Sequence, residues 1–259
     1  MNTVDLAYEE FGDCSAPTVV IVHGFFASSR NWRKVANQLS AQYHVYTLDM
    51  RNHGLSPHHP IMDYPSLSGD LLRFLDEHEL QSASFIGHSM GGKAAMWLAL
   101  THSTRINKLI VVDIAPKSYA HNFDLTIKAL VDLPLDQILN RKQAEEMLTD
   151  GIPELHYRQF LLQNLILHND AYRWRIDLTI FASTAANIAL FPDTSGLKPY
   201  INQSLFMAGA KSDYVDQSTV RGLFPNAEIN VIPDAGHWIH SEQPEVFIEE
   251  VEKFLQRES

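Results

Sequence analysis

Cysteine is almost missing from this chain of 259 residues. Cys14 stands alone, so no disulfide can close within the chain and nothing in its composition asks for an oxidising compartment. Positive charge is scarce as well: 20 Lys and Arg face 31 Asp and Glu, a net charge of −11. Such a surface repels phosphate backbones and anionic lipid, which argues against nucleic acid or a membrane surface as the partner. No apolar run is long enough to span a bilayer, and Met1 to Leu6 lack the basic-then-apolar pattern of a secretory signal. A cytoplasmic protein without membrane insertion is expected. Repeats and low-complexity tracts are also lacking. What remains is ordinary globular material, 45% hydrophobic and 10% aromatic, long enough for one large core or one core with an inserted subdomain.

The most informative stretch is Ser84-Phe85-Ile86-Gly87-His88-Ser89-Met90-Gly91-Gly92. An apolar strand-like run ends in Gly-x-Ser-x-Gly, and the helix-like segment Lys93 to Leu100 begins at once. With 12 glycines and 19 serines in the chain, random placement gives about 0.04 such pentapeptides. A serine hydroxyl is a weak nucleophile unless its geometry is forced and a base takes its proton. A tight strand-to-helix turn supplies that geometry, with Gly87 and Gly91 where strand and helix cross too closely for a Cβ. The Met90 N–H then lies at the start of a helix, where unpaired amides favour a developing oxyanion.

The rest of the chain alternates. Thr3 to Phe11 reads as an edge strand. Thr18 to Val22, Tyr43 to Leu48, Lys108 to Asp113, Gln203 to Ala208 and Glu228 to Ile232 read as buried strands. Helices are expected from Ser28 or Ser29 to Leu39, Pro65 to Leu80, Gln217 to Leu223 and Pro244 to Leu255. This pattern predicts a mostly parallel sheet flanked by helices. Between about Pro116 and Leu197 the strand runs vanish, and Asn122 to Val131, Leu135 to Leu148, Pro153 to Leu167 and Asp177 to Leu190 read as helices. The expected organisation is therefore a core of residues 1–115 and 198–259 with a helical cap, 116–197, inserted on the side where such sheets bind ligands.

Three stretches together resemble the α/β-hydrolase superfamily over nearly the whole chain: His23-Gly24-Phe25 after an early strand, Gly87 to Gly92, and Gly236-His237 after the last strand. More narrowly, Asp49-x-Arg51-Asn52-His53-Gly54-x-Ser56, the run through Lys93, and Val112-Asp113-Ile114-Ala115-Pro116 resemble the esterase branch that includes the YbfF-type enzymes and the mammalian abhydrolase-11 proteins. The resemblance implies Ser89 as nucleophile, His237 as base, and an oxyanion hole from the N–H groups of Phe25 and Met90. It also implies that His23 steadies its loop. For the acid it offers two positions. Many members carry it after the penultimate strand, where Gly209-Ala210-Lys211-Ser212-Asp213 has serine at the usual place and Asp213 one residue late. The narrower branch carries it after the strand that follows the nucleophile's helix, at Asp113, with Ser212 as an accessory partner. Asp113 is the expected acid and Asp213 its alternative.

The resemblance further implies a carboxylesterase acting on a small-molecule acyl ester, with acyl-CoA thioesters as a second substrate class and no metal or organic cofactor. Rival readings are a carbon–carbon bond hydrolase or a cofactor-free haloperoxidase using the same groups, or a ligand receptor with a silent triad. Haloalkane dehalogenases and epoxide hydrolases carry aspartate where this chain has Ser89. His58-His59 and His237-x-x-His240 lack a third ligand at metal-binding spacing, and Asp49, Arg51 and His53 read as loop-ordering groups. Leu130, Leu139, Leu162, Leu165, Ile166, Phe181 and Ile188 of the expected cap are candidates either to shield an acyl chain or to hold the cap to itself, and Trp97, Trp174, Phe25 and Phe26 read as core or as walls of an acyl pocket.

Overall fold

The computed structural model describes residues 3–120 and 123–257. Nine strands are present among them: β1 (Tyr8–Phe11), β2 (Thr18–Val22), β3 (His44–Leu48), β4 (Ala83–His88), β5 (Ile106–Val112), β6 (Leu165–His168), β7 (Ala171–Trp174), β8 (Ser204–Gly209) and β9 (Glu228–Ile232). The helices are α1 (Arg33–Leu39), α2 (Tyr64–Glu77), α3 (Met90–Thr101), α4 (Asp124–Val131), α5 (Arg141–Met147), α6 (Leu155–Leu161), α7 (Leu178–Ala189), α8 (Gln217–Leu223), α9 (Ile239–Glu242) and α10 (Pro244–Leu255).

Seven strands form one sheet in the order β1-β3-β2-β4-β5-β8-β9. Only β1, on its edge, runs antiparallel to its neighbour. The central strands lack polar alternation because both faces are covered. Val20, Val22, Phe85, Leu109 and Val111 pack with α2 and α3, while Val19, Ile21, Ile86, Ile110 and Val112 pack with α1 and α10. Helix α2 shows how local chemistry sets the elements. Asp63 caps it by accepting from the Ser66 N–H at 2.9 Å, Pro65 occupies its first turn, and Leu67, Leu71 and Leu75 bury one face.

The winding direction reverses between β2 and β4, so the carboxyl ends of these adjacent strands open a crevice at the topological switch point. His23-Gly24-Phe25 leaves β2 there and Ser89 leaves β4.

The segment between β5 and β8 differs in part from the sequence reading. Leu165–His168 and Ala171–Trp174 form an antiparallel hairpin, not a helix end and a loop. Asn169 and Asp170 both take positive φ, 50° and 60°, as a two-residue hairpin turn requires. The helix expected over Leu135 to Leu148 is shorter, because Asn140 accepts from the Gln143 N–H at 3.0 Å and starts α5 only at Arg141. Only a 3₁₀ turn, Leu135–Gln137, precedes it. Likewise Pro153 to Leu167 resolves into α6, a 3₁₀ turn at Leu162–Asn164, and β6. The expected helix start at Asn122 lies outside the described residues, as do Met1 and Asn2; the helix itself is α4. Among the described residues no helix is long and apolar enough to cross a membrane.

Candidate active site

Ser89 sits between β4 and α3 with φ 50° and ψ −117°, a strained backbone for a residue with a side chain. The close crossing that produces this turn is visible at its glycines. A Cβ on Gly87 would lie 2.6 Å from the Gly91 carbonyl oxygen, and one on Gly91 would lie 2.3 Å from that of Val22. The Ser89 N–H is spent on the Val112 carbonyl at the end of the adjacent strand, at 3.1 Å.

One strand over, Asp113 follows β5 directly, also left-handed at φ 52°, with its carboxylate fully buried. Three donors meet it: His237 Nδ1–H at 2.8 Å on Oδ2, Ser212 Oγ–H at 2.5 Å on Oδ2, and the Gly209 N–H at 2.9 Å on Oδ1. A carboxylate only accepts, so the contact with His237 places that ring's proton on Nδ1 and leaves Nε2 as the basic nitrogen. Ser212 in turn accepts from the Tyr214 N–H at 3.3 Å. Asp213, the alternative acid position, is exposed. Ser89 and His237 line one cavity, with no direct hydrogen bond between them among the described residues; such contacts are often long in substrate-free enzymes and tighten when substrate binds.

The sequence reading passed over His88, which occupies a variable position of the pentapeptide. Its Nε2–H donates to the His237 carbonyl at 2.9 Å, bracing the loop that carries the imidazole. Burial, and next the neighbouring His237 and His240, push His88 well below the usual histidine range, so it stays a neutral donor. His240, stacked on Trp32 with ring centroids 4.2 Å apart, is pushed down to about 3, first by burial and then by His237.

The turn after β2 presents the Phe25 N–H. Neither it nor the Met90 N–H has a hydrogen-bond acceptor among the described residues. His23 and His53 order this turn. His23 lies with Nδ1 2.8 Å from the Gly24 carbonyl oxygen and accepts from the Met50 N–H on Nε2 at 3.0 Å. His53 donates from Nδ1 to the Arg51 carbonyl at 2.9 Å and accepts from the Phe26 N–H on Nε2 at 3.2 Å. Burial lowers the pKa of both, and His23 adds to the effect on His53. Asp49 accepts from the N–H groups of Ser29 and Leu55 at 2.7 and 2.8 Å. Arg51 makes a fully buried pair with Asp70 at 2.6 Å. These contacts give the Asp49 to Ser56 loop its ordering groups.

The cavity has a volume of about 1200 Å³. Phe25, Phe26, Tyr64, Ile114, Ile152 and Ile188 form buried parts of its wall, whereas Lys34, Glu154, His156, Gln159, Ser241 and Glu242 line it from exposed positions. Of the seven apolar residues proposed from the inserted segment, only Ile188 reaches it. Leu139 is 83% exposed, and Leu130, Leu162, Leu165 and Phe181 are buried in the hydrophobic core. Trp97 and Trp174 do not line it either.

Lys93, one turn into α3, is buried in this wall. Its ammonium donates to the carbonyls of Leu190, Ala189 and Ile188 at 2.7, 3.0 and 3.4 Å. Burial lowers its pKa to about 7; the negative end of α7 and the Tyr119 ring, 4.7 Å away, favour its charged form. Among the described residues no cluster of three His, Cys, Asp or Glu side chains is placed to hold a metal ion.

The sequence model of the alpha/beta hydrolase fold family matches residues 17–244. The chain is 38% identical over 256 residues to the sn-1-specific diacylglycerol lipase ABHD11 of Mus musculus, covering 94% of this chain and 82% of that protein. It is 34% identical over 241 residues to esterase YbfF of Escherichia coli strain K12, covering 92% of each. Among solved structures, a marine microorganism esterase superposes with a TM-score of 0.92 at 36% identity, covering 97% of this chain and all of that one.

Proposed function

The chain belongs to the alpha/beta hydrolase fold family, and from that premise we propose that it is a serine carboxylesterase working through Ser89, His237 and Asp113. The observation that carries the reading is the buried Asp113 carboxylate 2.8 Å from Nδ1 of His237, whose ring lines the same cavity as the strained Ser89. The names of the relatives, esterases and a lipase, point the same way.

In this mechanism Ser89 Oγ attacks the ester carbonyl carbon while His237 Nε2 takes its proton. Asp113 holds the imidazole tautomer and stabilises the imidazolium, with Ser212 and the Gly209 N–H keeping the carboxylate in place. The developing oxyanion lies between the N–H groups of Phe25 and Met90. The tetrahedral intermediate collapses, His237 protonates the departing alkoxide, and an acyl-Ser89 ester remains. Water, deprotonated by His237, then releases the acid and restores the hydroxyl. No step calls for a metal or organic cofactor. Residues 116–197 serve as the cap over a core formed by 1–115 and 198–259: their Ile188, Tyr157 and Phe160 wall the cavity above Ser89.

The same attack suits acyl-CoA thioesters, but the cavity lining favours uncharged leaving groups. Lys34 is the one exposed Lys or Arg among the described lining residues, set against Glu154 and Glu242, in a chain of net charge −11. Phosphates of a nucleotide carrier would meet little positive charge there. A carbon–carbon bond hydrolase or a haloperoxidase would use the same three groups, and a receptor would leave them idle. A fluorophosphonate should label Ser89 and abolish hydrolysis of short nitrophenyl esters. Hydrolysis that persists in Ser89→Ala would refute the reading, and stoichiometric ligand binding without turnover would favour the receptor.

A further inference from the structure

Phe26 holds its backbone in the left-handed region at φ 64°, a strained conformation for an aromatic residue that persists only where its surroundings impose it. Two buried side chains impose it from opposite directions. His53, from the loop after β3, accepts the Phe26 N–H at 3.2 Å. Asn164, from the inserted segment, donates its Nδ2–H to the Phe26 carbonyl at 2.8 Å. A second bond from the same amide nitrogen to the Leu161 carbonyl, at 3.3 Å, helps hold the Asn164 rotamer. The neighbouring Gln163 ties in too, accepting from Asn31 Nδ2 at 2.8 Å.

The route from Asn164 to the reacting atoms runs through two rigid planes. The Phe26 carbonyl and the Ala27 N–H belong to one planar peptide, so fixing the carbonyl fixes the direction of the N–H. That N–H donates to the Gly24 carbonyl at 3.1 Å. The Gly24 carbonyl shares its own plane with the Phe25 N–H, the proposed oxyanion donor.

We infer that Asn164 and His53 are positioning residues of the oxyanion hole, gripping Phe26 at its two backbone ends, and that Asn164 makes the aim of the Phe25 N–H depend on how the inserted segment is seated. The inference rests on the acyl-transfer reading above. The aromatic stack between Phe25 and Phe181 of α7, with centroids 4.7 Å apart and planes 13° from parallel, is a second link between the same two parts.

The test is Asn164→Leu, which removes the donor at similar volume, with His53→Phe as the second variant. Deleting an oxyanion donor costs about 10²–10³ in kcat, so mis-aiming one is expected to lower kcat for a nitrophenyl ester roughly 10- to 100-fold while KM changes less than about threefold. The readout that separates aim from general damage is a pair of isosteric inhibitors. A trifluoromethyl ketone adds the serine and places an oxyanion in the hole, whereas the methyl ketone only occupies the pocket. Affinity for the first should fall in step with kcat, and affinity for the second should hold within about threefold. Asn164→Gln, which keeps a donating amide, should recover part of the loss. An active wild type whose folded Asn164→Leu and His53→Phe variants both keep full kcat, or lose affinity for both ketones alike, overturns this inference alone. A wild type that turns over no ester overturns the hydrolase reading and this inference with it.

Discussion

Replacing Asp113 by Asn tests the arrangement at its centre, because the substitution keeps the shape of the side chain and changes only its donors and acceptors. The wild-type carboxylate accepts from His237, Ser212 and Gly209. An amide there must present its NH₂ either to His237 and Ser212 or to the Gly209 N–H, and the second choice leaves two buried donors facing each other. With the first choice Ser212 can turn its hydroxyl to accept, but His237 must take the other tautomer, with a bare Nδ1 that accepts the amide hydrogen bond. Nε2 then carries hydrogen and cannot take the proton of Ser89. In a triad of this kind the loss is about 10⁴ in kcat, or about 5 kcal/mol of transition-state stabilisation. The assay is kcat/KM on nitrophenyl butyrate for Asp113→Asn beside Asp213→Asn, each checked for folding by circular dichroism. The exposed Asp213 should tolerate the change within about twofold, as surface substitutions usually do. Activity of Asp113→Asn within tenfold of wild type, or a large loss confined to Asp213→Asn, would refute the reasoning.

Three further outcomes are expected. Ser212→Ala removes a hydrogen bond to a buried charge and should cost about 1.5–3 kcal/mol in kcat/KM, roughly 10- to 150-fold; a loss as large as that of Asp113→Asn would mean that Ser212 does more than steady the carboxylate. Gly24→Ala would set a Cβ 2.8 Å from His88 Nδ1 and 3.3 Å from Ser89 Cβ, so turnover should drop sharply, and an unchanged kcat would show that the turn relaxes freely. His53 is held neutral by burial, so below pH 6.5 the unfolded chain takes up a proton that the folded chain refuses, and stability falls as pH falls. Urea titrations between pH 6.5 and 4.5 should give His53→Phe a shallower pH slope, by up to about 1.4 kcal/mol per pH unit, and equal slopes would contradict the neutral assignment.

Much of this site could be read before any coordinates, and the reason differs from residue to residue. Ser89, Gly87 and Gly91 were legible because a sharp strand-to-helix turn is a local demand, written in five consecutive residues. The strands were legible because runs such as Thr18-Val19-Val20-Ile21-Val22 have no exposed face to make polar. Asp113 was reached through family resemblance; spacing alone left Asp213 open, because a side chain's contact with His237 is decided by how distant segments meet. The β6–β7 hairpin was missed although Asn169-Asp170, a pair at ease with positive φ, lies between two apolar stretches. Asn164 and His88 carried no sequence signal at all, since each acts on a backbone group far away in the chain.

Phe26 and Ser89, which line one cavity, and Asp113, bonded to the His237 that lines it too, all hold left-handed backbones, a conformation glycine would adopt at no steric cost. Random change guided by thermal endurance alone would therefore push these three positions towards glycine. A descendant of this chain that had retired from chemistry should betray itself there first, as a sturdier molecule with a relaxed backbone and nothing left to react.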